Sequence, residues 1–322
     1  MTCSSALGGF GLLEPPRLSR STVDREEPLR TDAARLAAGW RGARVLVVDE
    51  KGRTPIEAGG HELLTKRGPE FGDAPPPGAV FLGEQAGVAY WAVRGRPSLV
   101  DGDDPAAWQD LRARGADLDA TGAGLMVTAV ATLGWHDNAG FCARCGSPTE
   151  PRNAGWLRVC TRCGHEEYPR TDPAIICLVH DGGAGGSARL LLARQPVWPA
   201  GRYSVLAGFV EAGESLEACV AREIHEEVGV RVSDIRYLGS QAWPFPRSIM
   251  IGFSAVADPS EPLHPADGEI AEAFWLTRDE LRAALEAGDW AARAGDTDRR
   301  RVLLPGPVSI ARSMLESWAA AD

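Results

Sequence analysis

Short apolar runs bounded by turn residues alternate with longer amphipathic stretches along this chain. Residues 44–49, 79–82 and 88–93 are rich in Val, Leu and aromatics, and each reads as a strand. Pro75-Pro76-Pro77-Gly78 interrupts them. Asp104 followed by Pro105 reads as a capped helix start, because proline suits the first helical position. Residues 124–135 are largely apolar and predict a second helix. Beyond residue 168 strands are predicted at 174–179, 189–193, 203–206, 235–243, 248–257 and 270–276. A strong helix is expected from about Leu216 to Val228, and two terminal helices at about 278–287 and 307–319. No internal repeat is present.

This order divides the chain into four parts. Residues 1–30, rich in Ser, Pro, Gly and charge, read as a poorly ordered lead-in. Residues 31–135 read as a β-rich N-terminal α+β domain with no recognisable cluster of catalytic groups. Residues 136–168 form a compact Cys/Gly segment, and 169–322 a second α/β pattern. The fold class is α+β.

Composition narrows the function classes. A hydrophobic fraction of 44% and a charged fraction of 24% suit a globular protein with sizeable cores. The net charge of −10 argues against non-specific nucleic-acid binding, which needs a basic surface. An acidic chain still binds phosphates where a metal ion supplies local positive charge. No stretch has the length of a membrane span, and the first twenty residues lack the basic and apolar regions of a signal peptide. A cytoplasmic protein without a membrane partner is expected. The cysteines are odd in number and four of them sit in two CxxC pairs, which favours metal binding over a disulfide framework.

Those pairs are Cys142-Ala-Arg-Cys145-Gly and Cys160-Thr-Arg-Cys163-Gly, with residues 146–159 between them. Two such knuckles deliver four thiolates to one tetrahedral Zn2+, and the glycines let the backbone turn tightly toward it. Four thiolates leave no open position, so the zinc is expected to be structural. His165 would serve as a ligand only in place of one cysteine. Cys3, Cys177 and Cys219 read as packing residues.

A different metal chemistry is written into residues 208–230. Glu223, Glu226 and Glu227 stand at i, i+3 and i+4 and share one side of a helix, while Val220, Ile224 and Val228 form an apolar stripe. Like charges at this spacing cost roughly 0.2–0.5 kcal/mol per pair, and the helix dipole disfavours anions near the C-terminus. A bound divalent cation removes the conflict, and hard carboxylate oxygens suit Mg2+ or Mn2+. Arg222 is placed to orient a carboxylate, and Glu214 lies near it if the preceding loop folds back. Gly208, Gly213 and Gly229 permit a tight loop and a helix stop. A solvated acidic face is the plain alternative.

The segment from Gly208 to Val230 resembles the Nudix box, G-x5-E-x7-R-E-U-x-E-E-x-G-U with U aliphatic, at every fixed position. The resemblance implies a Nudix α/β/α sandwich with a mixed sheet, and Mg2+- or Mn2+-dependent hydrolysis of a nucleoside diphosphate derivative. It makes Glu223 and Glu227 metal ligands, and Glu226 a further ligand or the base that activates water.

Downstream, Ser240-Gln241-Ala242-Trp243-Pro244-Phe245-Pro246-Arg247-Ser248 interleaves prolines with aromatics. Such a loop offers flat surfaces to a base or nicotinamide ring, though an isolated motif of this kind is more often a hydrophobic corner. Here it is similar to the S-Q-P-W-P-F-P-x-S motif of NADH pyrophosphatases, with Ala242 in place of the first proline. That change removes no polar or aromatic group. Zinc ribbon, Tyr168-Pro-Arg170, Nudix box and this loop follow one another as in the bacterial NADH pyrophosphatase family, from about residue 136 onward. The first 130 residues show only loose likeness.

The resemblance further implies substrate contacts at Tyr168, Phe209, residues 241–248 and Ala311. It adds the Ala207 carbonyl and Glu269, before Glu272-Ala-Phe-Trp275, as metal ligands. The implied reaction cleaves NADH or NAD+ to AMP and nicotinamide mononucleotide, and some members remove NAD caps from RNA. A homodimer is implied as well. Five arginines and no lysine between residues 142 and 170 give the ribbon a local basic bias. Rival expectations are hydrolysis of ADP-ribose or another dinucleotide, and a non-catalytic nucleotide-binding regulator.

Overall fold

The computed structural model describes residues 10–96, 107–291 and 302–321. The helix start expected at Asp104 and the cysteine at position 3 lie outside the described residues. The chain divides into two compact units: Arg17–Thr171 with Ala242–Ser248, and Met1–Pro16 with Asp172–Gln241 and Ile249–Asp322. No helix among the described residues is long and apolar enough to cross a membrane.

The first unit opens with short helices α1 (Glu27–Thr31) and α2 (Ala33–Gly39). Strands β1 (Arg44–Val48), β2 (Thr54–Pro55), β3 (Lys66–Arg67), β4 (Val80–Gln85), β5 (Val88–Arg94) and β6 (Trp108–Gln109) follow. Four of them make a mixed sheet of order β3-β1-β5-β4, in which β1 is parallel to β5 and antiparallel to β3. Helix α3 (Leu111–Arg114) leads to α4 (Ala120–Asn138). On β1, Val45 and Val47 join Phe81 and Trp91 in one core. Leu46 and Val48 face the other way and pack with Leu125, Ala129 and Leu133 of α4. This two-sided burial explains the continuous apolar runs. Helix α4 begins earlier than its apolar stretch because the Asp119 carboxylate caps it, accepting from the Gly122 N–H at 2.6 Å. The Cys/Gly segment forms a three-stranded antiparallel ribbon of β7 (Thr149–Arg152), β8 (Leu157–Cys160) and β9 (Glu166–Glu167).

In the second unit, β10 (Asp172–His180), β11 (Arg189–Arg194) and β12 (Leu206–Phe209) precede α5 (Leu216–Val228). Then come β13 (Ser233–Trp243), β14 (Ser248–Val256), β15 (Glu272–Thr277), α6 (Arg278–Ala287) and α7 (Ile310–Ala320). The sheet order is β13-β14-β10-β11-β15, with β12 also on β10. Alternation along β10 and β11 shows how the layers form. Ile176, Leu178, Leu190 and Leu192 pack with Leu281, Met314 and Trp318 of α6 and α7. Ile175, Cys177, Leu191 and Ala193 pack with Val220, Ile224 and Val228 of α5. The result is the expected sandwich of a sheet between helical layers.

The strand expected at 203–206 is displaced. Tyr203 and Val205 are core side chains, and Ser204 makes only an isolated bridge to Ala193. Regular pairing starts at Leu206 and runs to Phe209 against β10, in register from Cys177↔Leu206 to Ala174↔Phe209. Ladder hydrogen bonds here outweigh the weak strand preference of Ala207-Gly208. The last helix starts at Ile310 rather than 307 because the Ser309 hydroxyl caps it.

Candidate active site

Helix α5 starts at a Ser215 cap, whose hydroxyl accepts from the Ala218 N–H, and stops at Gly229 in the left-handed conformation. Val220, Ile224 and Val228 are fully buried, so the helix is clamped to the sheet along one stripe. That clamp decides how each glutamate is exposed. The Glu226 side chain is 57% exposed and that of Glu223 only 15%, while Glu227 as a residue is 7% exposed. The three carboxylates thus fan from solvent into the protein, where the spacing suggested one shared face.

Arg222 organises the loop before the helix. Its Nε and Nη2 donate to the two oxygens of Glu214 at 2.8 and 2.9 Å. Its Nη1 donates to Glu223 at 3.0 Å and to Glu226 at 2.9 Å, and Nη2 also reaches the Phe209 carbonyl at 3.0 Å. Hydrogen bonding to Arg222 holds the Glu214 carboxyl down at about 2. The fold-back of the loop toward Arg222 is therefore present, and the guanidinium is fully committed to protein groups.

Glu227 is the opposite case. Its Oε2 is buried and has no hydrogen-bond partner among the described residues. Burial, reinforced by the charges of Glu223 and Glu269, pushes its carboxyl up to about 8. Burial also raises Glu223, against the pull of Arg222. The Glu223 carboxyl lies against Gly208, next to Ala207. A buried, unpaired carboxylate oxygen facing two further carboxylates is costly in an otherwise ordinary core. Carboxylate oxygens are hard donors of the kind divalent cations take, although among the described residues the cysteines alone bring all their ligand atoms within 4.8 Å of one another. Glu269, weakly signalled by the sequence, is close enough to Glu227 to act on its charge.

The four cysteines form a candidate metal centre in the other unit. Their sulfurs lie within 4.8 Å of one another, with Cys145 3.5 Å from both Cys160 and Cys163, and Cys142 3.8 Å from Cys163. A tetrahedron with Zn–S bonds of about 2.3 Å has edges of about 3.8 Å, so the set fits zinc. Backbone N–H groups of Arg144 and Arg162 donate to Cys142 and Cys160 at 3.4 Å. His165 contributes its carbonyl, accepting from the Cys160 N–H, and is not part of the cluster.

The expected substrate residues have diverse settings. Phe209 and Tyr168 are 60% and 59% exposed, and the Tyr168 hydroxyl donates to Glu166. Trp243 and Phe245 meet edge to face at 4.9 Å, and the Arg112 guanidinium lies 4.1 Å over the Phe245 ring. Nothing in the sequence signalled Arg112, which is distant along the chain. Ala242, Arg247 and Pro246 are partly or fully exposed, whereas Pro244 and Ser248 are buried. Gln241 and Ala311 are each 1% exposed, and the Gln241 amide donates to the Val308 carbonyl. Both side chains are all but sealed from solvent in this conformation.

The model of the NUDIX domain matches residues 170–295, that of the NADH pyrophosphatase zinc ribbon domain 137–168, and that of the NADH pyrophosphatase-like rudimentary NUDIX domain 34–135. The chain is 53% identical to the NAD-capped RNA hydrolase NudC of Mycobacterium tuberculosis over 97% of both chains. It is 40% identical to the mouse mitochondrial NAD(P)H pyrophosphatase NUDT13 over 62% of this chain and 56% of that one. A NUDIX hydrolase structure from Nitrosomonas europaea aligns with 23% identity and a TM-score of 0.36, over 44% of this chain and 78% of that one.

Proposed function

The chain belongs to the NADH pyrophosphatase family of Nudix hydrolases, and from that premise we propose that it hydrolyses the pyrophosphate of NADH or NAD+ to AMP and nicotinamide mononucleotide, and releases NAD caps from RNA. The observation that carries the proposal is the buried, unpaired Glu227 oxygen beside Glu223 and Glu269. Likeness to the two NAD-directed relatives supports the choice of substrate.

Glu223, Glu227, Glu269 and the Ala207 carbonyl are the proposed holders of Mg2+ or Mn2+. Bound there, the cation supplies Lewis acidity toward phosphate oxygens and acidifies coordinated water. Arg222 fixes Glu223 and Glu226 and ties the Gly-rich loop to the helix. Glu226, exposed and held by Arg222, is a further ligand or the base that takes a proton from the attacking water. Phe209, Tyr168, Trp243 and Phe245 are carried over as substrate contacts by resemblance. With Gln241 and Ala311 buried, the proposal assigns their contribution to backbone atoms or packing. The homodimer and the cytoplasmic location belong to the same proposal and rest on family likeness.

The test is a product assay with Mg2+ or Mn2+ across NADH, NAD+, ADP-ribose and NAD-capped RNA. The expected products are AMP with reduced mononucleotide from NADH, and 5′-monophosphate RNA from capped RNA. Faster turnover of ADP-ribose than of either NAD substrate would shift the substrate class, and absence of metal-dependent turnover would defeat the enzymatic reading.

A further inference from the structure

The N-terminal unit contains a cavity of about 370 Å³ that the carboxylate helix does not line. Its lining includes the apolar Phe71, Pro76, Pro77 and Leu133 and the polar Arg94, His136, Asp137 and Arg158. Arg94 is ion-paired with Asp137, and its Nη1 donates to the Asp49 carbonyl at 2.6 Å. That pair is locally neutral.

Arg158 is different. Its Nε donates to the Thr149 hydroxyl at 2.7 Å, its Nη2 to the Thr149 carbonyl at 2.8 Å, and its Nη1 to His136 Nδ1 at 3.0 Å. All three acceptors are uncharged. His136 Nε2 lies 2.7 Å from the Gly155 carbonyl, which only accepts, so the proton sits on Nε2 and Nδ1 offers a lone pair. Glu167, opposite Arg158 in the β8–β9 register, turns its carboxylate to the Ala143 N–H at 2.7 Å. Arg158 is thus held by three neutral acceptors, partly buried, and without an ion pair among the described residues, although the Glu167 carboxylate acts on it through space. A guanidinium has five N–H donors, so two remain for a ligand.

The Glu167 carboxylate acts on Arg158 without bonding to it, so an anion that takes the two spare donors gains charge-assisted hydrogen bonds. The cavity volume falls in the range of small-molecule sites, about 300–1,000 Å³. We propose that this cavity is a second ligand site that takes a nucleoside monophosphate, with the phosphate on Arg158 and the base against Phe71 and the prolines. The site is independent of the diphosphatase reading, because none of its residues belongs to the catalytic helix.

The test measures AMP binding by calorimetry with the full-length, zinc-loaded protein, without added Mg2+ or Mn2+. AMP is expected to bind the wild type and the Glu227→Gln variant alike. Arg158→Met should weaken it by at least about tenfold, the size of a lost charge-assisted bond, while NADH turnover stays at the wild-type level. Phe71→Ala leaves the ribbon contacts untouched, and should weaken AMP about tenfold through lost stacking while sparing inorganic phosphate. Unchanged AMP affinity in either variant overturns the proposal. Equal affinity of wild type for AMP and inorganic phosphate overturns the nucleoside part and leaves a bare oxyanion site.

Discussion

Gly208 and Glu223 approach so closely that a β-carbon at position 208 would overlap the Glu223 carboxyl group. The first glycine of the box is therefore a matter of space: its missing side chain lets the helix carboxylate lie against the strand backbone. Gly208→Ala should push Glu223 aside and lower kcat by about 100-fold, the cost of misplacing a reacting group by an ångström. The variant should melt cooperatively, because only the far end of a side chain must move. Wild-type kcat in this variant would remove Glu223 from the catalytic set.

Glu227→Gln should leave the fold intact and lower kcat by orders of magnitude, since one hard anionic ligand is lost. Steady-state turnover with a melting curve checks it.

The same residue sets a pH dependence in metal-free protein. Its carboxyl is raised from 4.5 to about 8 on folding, so the folded state keeps a proton that the unfolded state releases. The stabilising contribution is fully present below about pH 4.5 and is lost as pH rises through about 8, on the order of a few kcal/mol. Without Mg2+ or Mn2+, wild type should lose Tm between pH 5 and pH 8 more than Glu227→Gln does, and added cation should reverse the loss. Parallel Tm profiles would refute the buried charge.

Arg222→Lys keeps a charge but not the fork that joins Glu214, Glu223, Glu226 and the Phe209 carbonyl. A fall in kcat of about 10- to 100-fold is expected, with a smaller change in KM, because the guanidinium positions ligands and has no donor to spare for substrate. A dominant rise in KM would instead place Arg222 on the substrate.

Zinc content should be one per chain, and Cys160→Ser should lose it. Because structural zinc binding is worth about 10 kcal/mol or more in small domains, the ribbon should then lose hydrogen-exchange protection over residues 140–167. Retained zinc and protection would contradict the four-thiolate site.

Much of this was legible in the residues themselves. Helix α5 carries its own cap, stripe and stop in Ser215, Val220, Ile224, Val228 and Gly229, all local signals, and its span follows from them. The zinc ribbon is equally local, because two CxxC-Gly knuckles make their own turns. Arg222 and Glu214 are eight residues apart, so their pairing needed only a loop to fold back. The strand at 206–209 was misplaced because its pairing with β10 comes from a distant segment, and Ala-Gly has no strand preference of its own.

The sequence alone determined which residues carry charge, which sulfurs gather at one zinc site, and where the glutamate-bearing helix begins and ends, because those depend on local spacing. Only the tertiary structure decided what each group experiences. Glu226 and Glu227 are neighbours in sequence, yet one is held in solvent by Arg222 and the other is sealed in the core beside Glu269. The glycine at 208 acquires its purpose, and Arg158 its set of neutral hydrogen-bond acceptors, in the same way. Burial and long-range packing set those environments, and spacing along the chain does not encode them.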